Sequence, residues 1–341
     1  MSSDGRWVAY SRPMVPAPVS VSDAALWDAS DGSTVALTDG ANNGAPRGSV
    51  TDPPFVSNDG STVVFTTTVP VVAGQTNTGK SVFRYSTDTG VTEQLEVPAS
   101  FGEGPIDGAS TSGDGSLVVI SYGDKVLTWT AAAGFSELTD PSRIDDGSVH
   151  SFSAVGAPVS DDGRFVGVIA LLPAMDGEYE ALCRHIELYD LDEGGVALSP
   201  CIDKLAVPWP GVRSIRTPIL TTTDLGEVVI GQVNLGIRKW SQFEGLVRLT
   251  STQVFPWAAS PDGNAVGFSA VQSGLPSSEG AGYLDVIEPS GRARLGTVSY
   301  RTRPVGIGAG AETVLVSSNE PAAVGAGPDD RRALYVWTRT G

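Results

Sequence analysis

Short runs of β-branched and aromatic residues alternate along the whole chain with punctuation rich in Gly, Asp, Ser and Pro. No stretch reads as a helix of three turns, so the pattern predicts strands throughout. One unit recurs: small polar residues, Asp-Gly, then about four apolar residues. It runs Ser3-Asp4-Gly5-Arg6-Trp7-Val8, Asn58-Asp59-Gly60-Ser61-Thr62-Val63, Gly113-Asp114-Gly115-Ser116-Leu117-Val118 and Asp161-Asp162-Gly163-Arg164-Phe165-Val166. A degenerate copy, Asp224-Leu225-Gly226-Glu227-Val228, precedes a good one, Ser260-Pro261-Asp262-Gly263-Asn264-Ala265-Val266. The seventh, Glu312-Thr313-Val314-Leu315, keeps only the strand. Tight turns that match strand twist need positive φ, which Gly and Asp tolerate.

Two further strands follow each such run. The third ends near an aromatic or apolar residue, as in Leu26-Trp27, Phe83-Arg84-Tyr85 and Leu127-Thr128-Trp129, and the fourth closes on a Leu such as Leu37, Leu95, Leu138 or Leu249. A strand also precedes most Asp-Gly turns, as at Pro53-Pro54-Phe55-Val56. The spacing of about 51 residues is that of propeller blades. The expected fold is all-β: a seven-bladed β-propeller of four-stranded antiparallel blades, in one domain. The blades fall at 1–39, 50–97, 104–140, 151–201, 214–251, 252–297 and 300–341. Blade one lacks its inner strand and blade seven its outer strand, leaving about 26 strands of about 28. Either a longer polypeptide supplies both, or the ring has a loose seam.

Ser-Pro-Asp-Gly before an apolar strand, with a terminal Leu-Thr, resembles the repeat of TolB-type and WD-repeat-like propellers. It is similar also to the propeller domains of tricorn-like and prolyl-oligopeptidase-like peptidases. Copies five and seven depart from the pattern. The resemblance implies blade geometry and a partner docking at the channel mouth, and says little about activity.

Charge narrows the partners. With 39 Asp+Glu against 22 Lys+Arg the formal charge is -17, which argues against nucleic acid or an anionic membrane as partner. No apolar run of membrane-spanning length occurs and no secretory signal stands at Met1–Trp7. No metal or cofactor is expected, since only 2 His are present.

Cys183 and Cys201 flank the turn expected at Asp192-Glu193-Gly194-Gly195. Symmetric placement about a hairpin turn favours a disulfide, with two independent thiols as the alternative. A bridge implies an oxidising compartment: secreted, periplasmic or cell-surface.

Several short strings resemble motifs that carry chemistry. Gly74–Ser81 fits G-x-x-x-x-G-K-[ST], but Ser81 leads into a β-type run where a phosphate loop needs a helix. Gly306-Ile307-Gly308-Ala309-Gly310 reads as an inner strand of small residues. No G-x-S-x-G nucleophile elbow occurs. The Asp-Gly spacing is not that of sialidase turns, apart from Thr222–Gly226, which lacks the Trp. Neither His150 nor His185 has a ligand-spaced partner.

One constellation remains. The inner strands all begin at one channel mouth, and concave mouths bind ligands. Arg213 and Arg216 lead into blade five, Arg301 and Arg303 into blade seven, Asp107 into blade three and His150 into blade four. The expectation is a monomeric, non-enzymatic scaffold whose mouth binds a protein or peptide through Arg forks on an anionic group. The plainer reading of those arginines is neutralisation of acidic neighbours. The enzymatic alternative is a propeller that gates or supports a peptidase or glycosidase site lying outside this chain.

Overall fold

A computed structural model describes residues 1–13, 22–38, 53–68, 70–72, 79–140, 142–176, 179–206, 219–232, 236–249, 254–260, 265–271, 281–288, 291–299, 303–308, 313–318 and 333–338. Their 27 strands form seven antiparallel sheets. Sheet one holds β1 (Trp7–Pro13), β2 (Ser22–Asp28) and β3 (Thr34–Ala36). Sheet two holds β4 (Phe55–Val56), β5 (Thr62–Thr67), β6 (Ser81–Ser86) and β7 (Thr92–Leu95). Sheet three holds β8 (Ile106–Thr111), β9 (Leu117–Tyr122), β10 (Lys125–Thr130) and β11 (Gly134–Glu137).

Sheet four is the largest. It contains β12 (Ser151–Ser153), β13 (Phe165–Asp176), β14 (Tyr179–Asp190), β15 (Gly195–Leu198) and an extra strand, β16 (Asp203–Ala206), that pairs with the first half of β14. Sheet five holds β17 (Ile219–Thr222), β18 (Val228–Gln232), β19 (Gly236–Ser241) and β20 (Gly245–Arg248). Sheet six holds β21 (Val254–Ala259), β22 (Val266–Val271), β23 (Ala281–Glu288) and β24 (Gly291–Ser299). Sheet seven holds β25 (Arg303–Ile307), β26 (Thr313–Ser318) and β27 (Ala333–Thr338). The fold is an all-β propeller of antiparallel sheets. The strand count differs from the expected 26 because β16 follows Cys201, where blade four was expected to end.

Among the described residues, the first four repeated Asp-Gly turns are hydrogen-bonded cassettes, each opening on a buried Ser. Ser57 donates its hydroxyl to Asp59 at 2.6 Å and accepts the Thr62 N–H at 3.0 Å, while Asp59 accepts the Ser61 N–H at 2.9 Å. The same three bonds recur at Ser2/Asp4, Ser112/Asp114 and Ser160/Asp162. Gly5, Gly60, Gly115 and Gly163 all sit at φ between 71° and 76°. The carboxylate so held cannot leave without orphaning the hydroxyl of a buried serine.

The cassettes also tie sheet to sheet. The Ser3 N–H donates to the Asn58 carbonyl at 2.8 Å, Asp59 N–H to Gly113 at 3.0 Å and Gly113 N–H to Asp161 at 2.8 Å. Asp162 N–H then reaches the Asp224 carboxylate at 3.0 Å. A belt of hydrogen bonds therefore runs around one end of the first five sheets. Apolar clusters fill the spaces between neighbouring sheets: Phe65, Phe83 and Leu26 between sheets one and two, and Ile186, Leu188, Ile219 and Ile230 between sheets four and five. Inner runs such as Thr62–Thr67 are buried on both faces, as strands covered from two sides must be.

Candidate functional site: the channel mouth and blade four

The first strand of each full sheet runs towards its Asp-Gly turn, so the belt lies at one end and the strand starts at the other. Asp107 stands in β8, His150 immediately before β12, and Arg303 opens β25. All three fall at the starting end. Arg213, Arg216 and Arg301 lie outside the described residues. His150 is exposed, and its backbone N–H donates to Leu171 at 2.7 Å. Asp107 is half-buried at a register shift between Ile106 and Gly108.

That bulge is one of a set. First strands β17, β21 and β25 shift register against their second strands between Ile219 and Thr221, Phe255 and Trp257, and Pro304 and Gly306. In sheet four the ladder breaks altogether. Val155–Ala157 leaves β13 and bonds instead to Ile219 of sheet five, with Ala157 N–H on its carbonyl at 2.8 Å and its N–H on Val155 at 2.9 Å. Bulges re-aim side chains and accumulate at barrel rims and binding sites. Sequence reasoning had no signal for them, because a single extra residue leaves apolar patterning nearly intact.

Blade four rises above the mouth. β13 and β14 are 12 residues each, and their first-strand partner β12 covers only Ile169–Leu171 of β13. The paired segments Leu172–Asp176 and Tyr179–Leu182 therefore continue beyond the start of β12. β16 backs β14 on the outer side, pairing Ala181–Arg184 with Asp203–Ala206. Cys183 and Cys201 are disulfide-bonded, with Cα atoms 5.7 Å apart, as the hairpin symmetry predicts. Cys183 lies within β14 rather than before it, and Cys201 lies in the short link between β15 and β16.

Charged side chains in this blade are engaged structurally. Arg143, on the single-turn helix α1 (Ser142–Asp145), forks onto the buried Glu187 at 2.7 and 3.0 Å. Tyr189 donates its hydroxyl to Glu187 at 2.8 Å. Burial and then the adjacent carboxylate push the Tyr189 phenol well above its ordinary range. Arg164 bridges Asp190 and Glu193, its Nε–H reaching Asp190 at 3.0 Å. Arg184 faces the other way and is almost wholly buried, bonded to Asp203 at 3.0 Å, while its Nε and Nη2 find no acceptor. Burial lowers its pKa against the pull of Asp203.

The strand also corrects the expectation for His185. Cys183 and His185 are two residues apart on β14 and so share a face. Cys201 folds in opposite them, so that one ring nitrogen of His185 and both sulfurs lie within 4.8 Å of one another. His185 does have ligand-type neighbours; the third is 16 positions away in sequence and arrives only through the β15–β16 link. Lys80-Ser81 of the phosphate-loop-like string leads directly into β6, a strand, so no helix N-terminus faces it; Gly74–Thr78 lie outside the described residues.

No protein-family model matches the chain, and no curated protein matches it in sequence. Among solved structures it is similar to the β-propeller domain of the Trilobed protease from Pyrococcus furiosus, which has an open velcro topology. That match has a TM-score of 0.57 at 10% identity, covering 98% of this chain and 92% of the other. Prolyl endopeptidase matches with a TM-score of 0.57 at 14% identity, over 98% of this chain and 45% of the enzyme. TolB from Acinetobacter baumannii matches with a TM-score of 0.47 at 13% identity, over 87% of this chain; the chain spans 65% of its length. The protein is a β-propeller, and the likeness to peptidase propeller domains expected from the repeated Asp-Gly turn is met at the level of fold.

Proposed function

We propose that the chain is a seven-bladed, non-enzymatic scaffold that binds a protein or peptide at its channel mouth. The observation that carries this reading is the asymmetry of that end. A plain ring needs neither a hairpin extending past the first strands nor a fifth strand and a disulfide to brace it, and such additions on a rigid scaffold are where binding residues gather. Seven sheets support seven blades. So does the seam: a β-carbon on Gly5 would lie 3.8 Å from Thr313, the same turn-on-preceding-strand contact that Gly115 makes with Thr62. Sheets one and seven share no strand among the described residues, the arrangement of a ring without a strand latch.

The shifted ionisable groups support a scaffold role too. Asp4, Asp28, Asp31, Asp114, Asp140 and Asp190 are lowered by turn hydrogen bonds or arginine partners, which is the signature of structural charge. The disulfide favours an oxidising compartment, at the cell surface, in the periplasm or outside the cell. Arg213, Arg216, Arg301 and Arg303 are the proposed forks for an anionic group, with Asp107 and His150 on the same mouth.

A fluorescent oligo-glutamate peptide with a free carboxyl terminus tests this, with an oligo-lysine peptide as control. Changing the four arginines to Glu should weaken oligo-glutamate binding by tenfold or more in fluorescence polarisation. Equal binding by both proteins would sink the anionic-mouth reading. A second reading, a propeller that gates or supports a hydrolase, is favoured by the prolyl endopeptidase match, where the propeller-like part is under half of the enzyme. Adjoining coding sequence for a hydrolase domain would select it.

A further inference from the structure

Beyond the binding-scaffold reading, we propose that Cys183, His185 and Cys201 form a redox-gated site for a soft divalent cation of the zinc type. Oxidised, the two cysteines are a disulfide that pins the β15–β16 link to β14. Reduced, two thiolates and one imidazole converge on a single metal ion.

The ligand chemistry fits. Thiolate and imidazole together select zinc over hard cations such as magnesium or calcium. The three ligand atoms already lie within 4.8 Å of one another. A tetrahedral zinc holds such ligands about 3.5–4 Å apart, a spacing the sulfurs can reach once the S–S bond opens and the cysteine side chains turn. The imidazole is oriented independently of the sulfurs. His185 Nδ1 lies 2.8 Å from the Ser199 carbonyl oxygen, which can only accept, so Nδ1 carries the proton and donates it. The lone pair is left on Nε2, the tautomer in which a metal-binding histidine is held by a carbonyl behind it. The backbone around the link is itself anchored, Ser199 N–H donating to Ile186 at 2.9 Å and Ile202 N–H to Arg184 at 2.8 Å. Cys183 is buried, His185 half-buried and Cys201 exposed, so the ion enters from the Cys201 side and water takes the fourth position.

The exchange balances. A dithiol reductant supplies two electrons and two protons: the Cys183–Cys201 bond breaks, two S–H bonds form, and the dithiol becomes a disulfide. Zinc then displaces both thiol protons to solvent. Position in the fold gives the switch a consequence, because the bridge sits at the base of the hairpin that rises above the mouth.

The test uses the full chain with Co(II) as spectroscopic probe and Zn(II) as competitor. The protein is reduced anaerobically, and the reductant is removed before titration. Reduced wild type should bind one equivalent of Co(II), with a near-ultraviolet thiolate charge-transfer band and the visible bands of tetrahedral coordination, both abolished by Zn(II). Oxidised wild type should show neither. His185→Ala, which leaves the disulfide intact and can be checked for folding in that form, should weaken binding of the reduced protein by at least tenfold. Cys201→Ser should abolish the charge-transfer pattern of two thiolates. The proposal is overturned by an unchanged titration for His185→Ala, by equal binding to the oxidised chain, or by no stoichiometric binding to reduced wild type. None of these results depends on the arginines of the mouth, so the two readings fail separately.

Discussion

Gly60 of the second Asp-Gly turn lies directly against the indole of Trp7 in the preceding sheet, so closely that a β-carbon there would overlap Cδ1. Its φ of 76° already favours glycine. Two separate demands thus meet at one residue, turn geometry and the approach of neighbouring blades.

The pair of demands can be separated by mutation. Gly32 has a φ of 75° but open space around it. Gly32→Ala should cost about 1 kcal/mol for the left-handed backbone alone. Gly60→Ala should cost about 3 kcal/mol, since overpacking against Trp7 adds to it. Urea unfolding of the two variants reads the difference, and equal losses would mean that blade contact imposes nothing on this turn.

Ser112 contributes through its hydroxyl. Itself fully buried, it gives a 2.7 Å bond to Asp114 and takes one of 3.0 Å from the buried Leu117 N–H. Ser112→Ala should lose about 1–3 kcal/mol because a buried N–H is left unmatched. A change below about 0.5 kcal/mol, the usual range for surface positions, would deny the cassette a structural role.

Buried charge in β14 should respond in opposite ways on its two faces. Glu187→Gln weakens a carboxylate that satisfies Arg143 and Tyr189, and should cost about 1.5–3 kcal/mol. Arg184→Met removes a buried cation with two donors unmet and leaves Asp203 partly in water, and should stay within about 1 kcal/mol of wild type. Thermal melts of both variants measure this; a larger loss for Arg184→Met would show that its guanidinium is satisfied in solution.

Acid should reveal the Arg164–Asp190 pair. Hydrogen bonds from Arg164 hold the Asp190 carboxyl at about 2, below its ordinary 3.8. A depressed folded value means stability that is complete above about pH 4 and lost as pH falls towards 2. Arg164→Ala should therefore be less stable than wild type at pH 6, with the gap narrowing between pH 4 and pH 2. A gap that stays constant over that window would assign the effect to packing on Phe165 instead, which Arg164 covers at 4.8 Å.

Much of the architecture is written locally. Asp-Gly needs a turn with positive φ, a run such as Thr62–Thr67 needs cover on both faces, and two cysteines placed evenly about a hairpin turn come opposite one another. Each depends on neighbours a few positions away, so the repeat, the all-β class and the disulfide were all legible without coordinates. The serine of the cassette was visible too, recurring two residues before Asp in the first four copies, but its role was not, because polar patterning cannot tell a buried hydroxyl from a solvated one.

Tertiary structure alone decided the rest. That Gly60 meets Trp7 depends on how one sheet stacks on the next. That His185 joins Cys183 and Cys201 depends on a link between β15 and β16 that bends back across β14. The bulges that re-aim the first strands at the mouth depend on register, which shifts by one residue without altering apolar composition. A sequence sets what each short segment can form by itself; how segments meet, within one blade or between blades about 50 residues apart, is set by packing, and it is there that both candidate sites of this propeller arise.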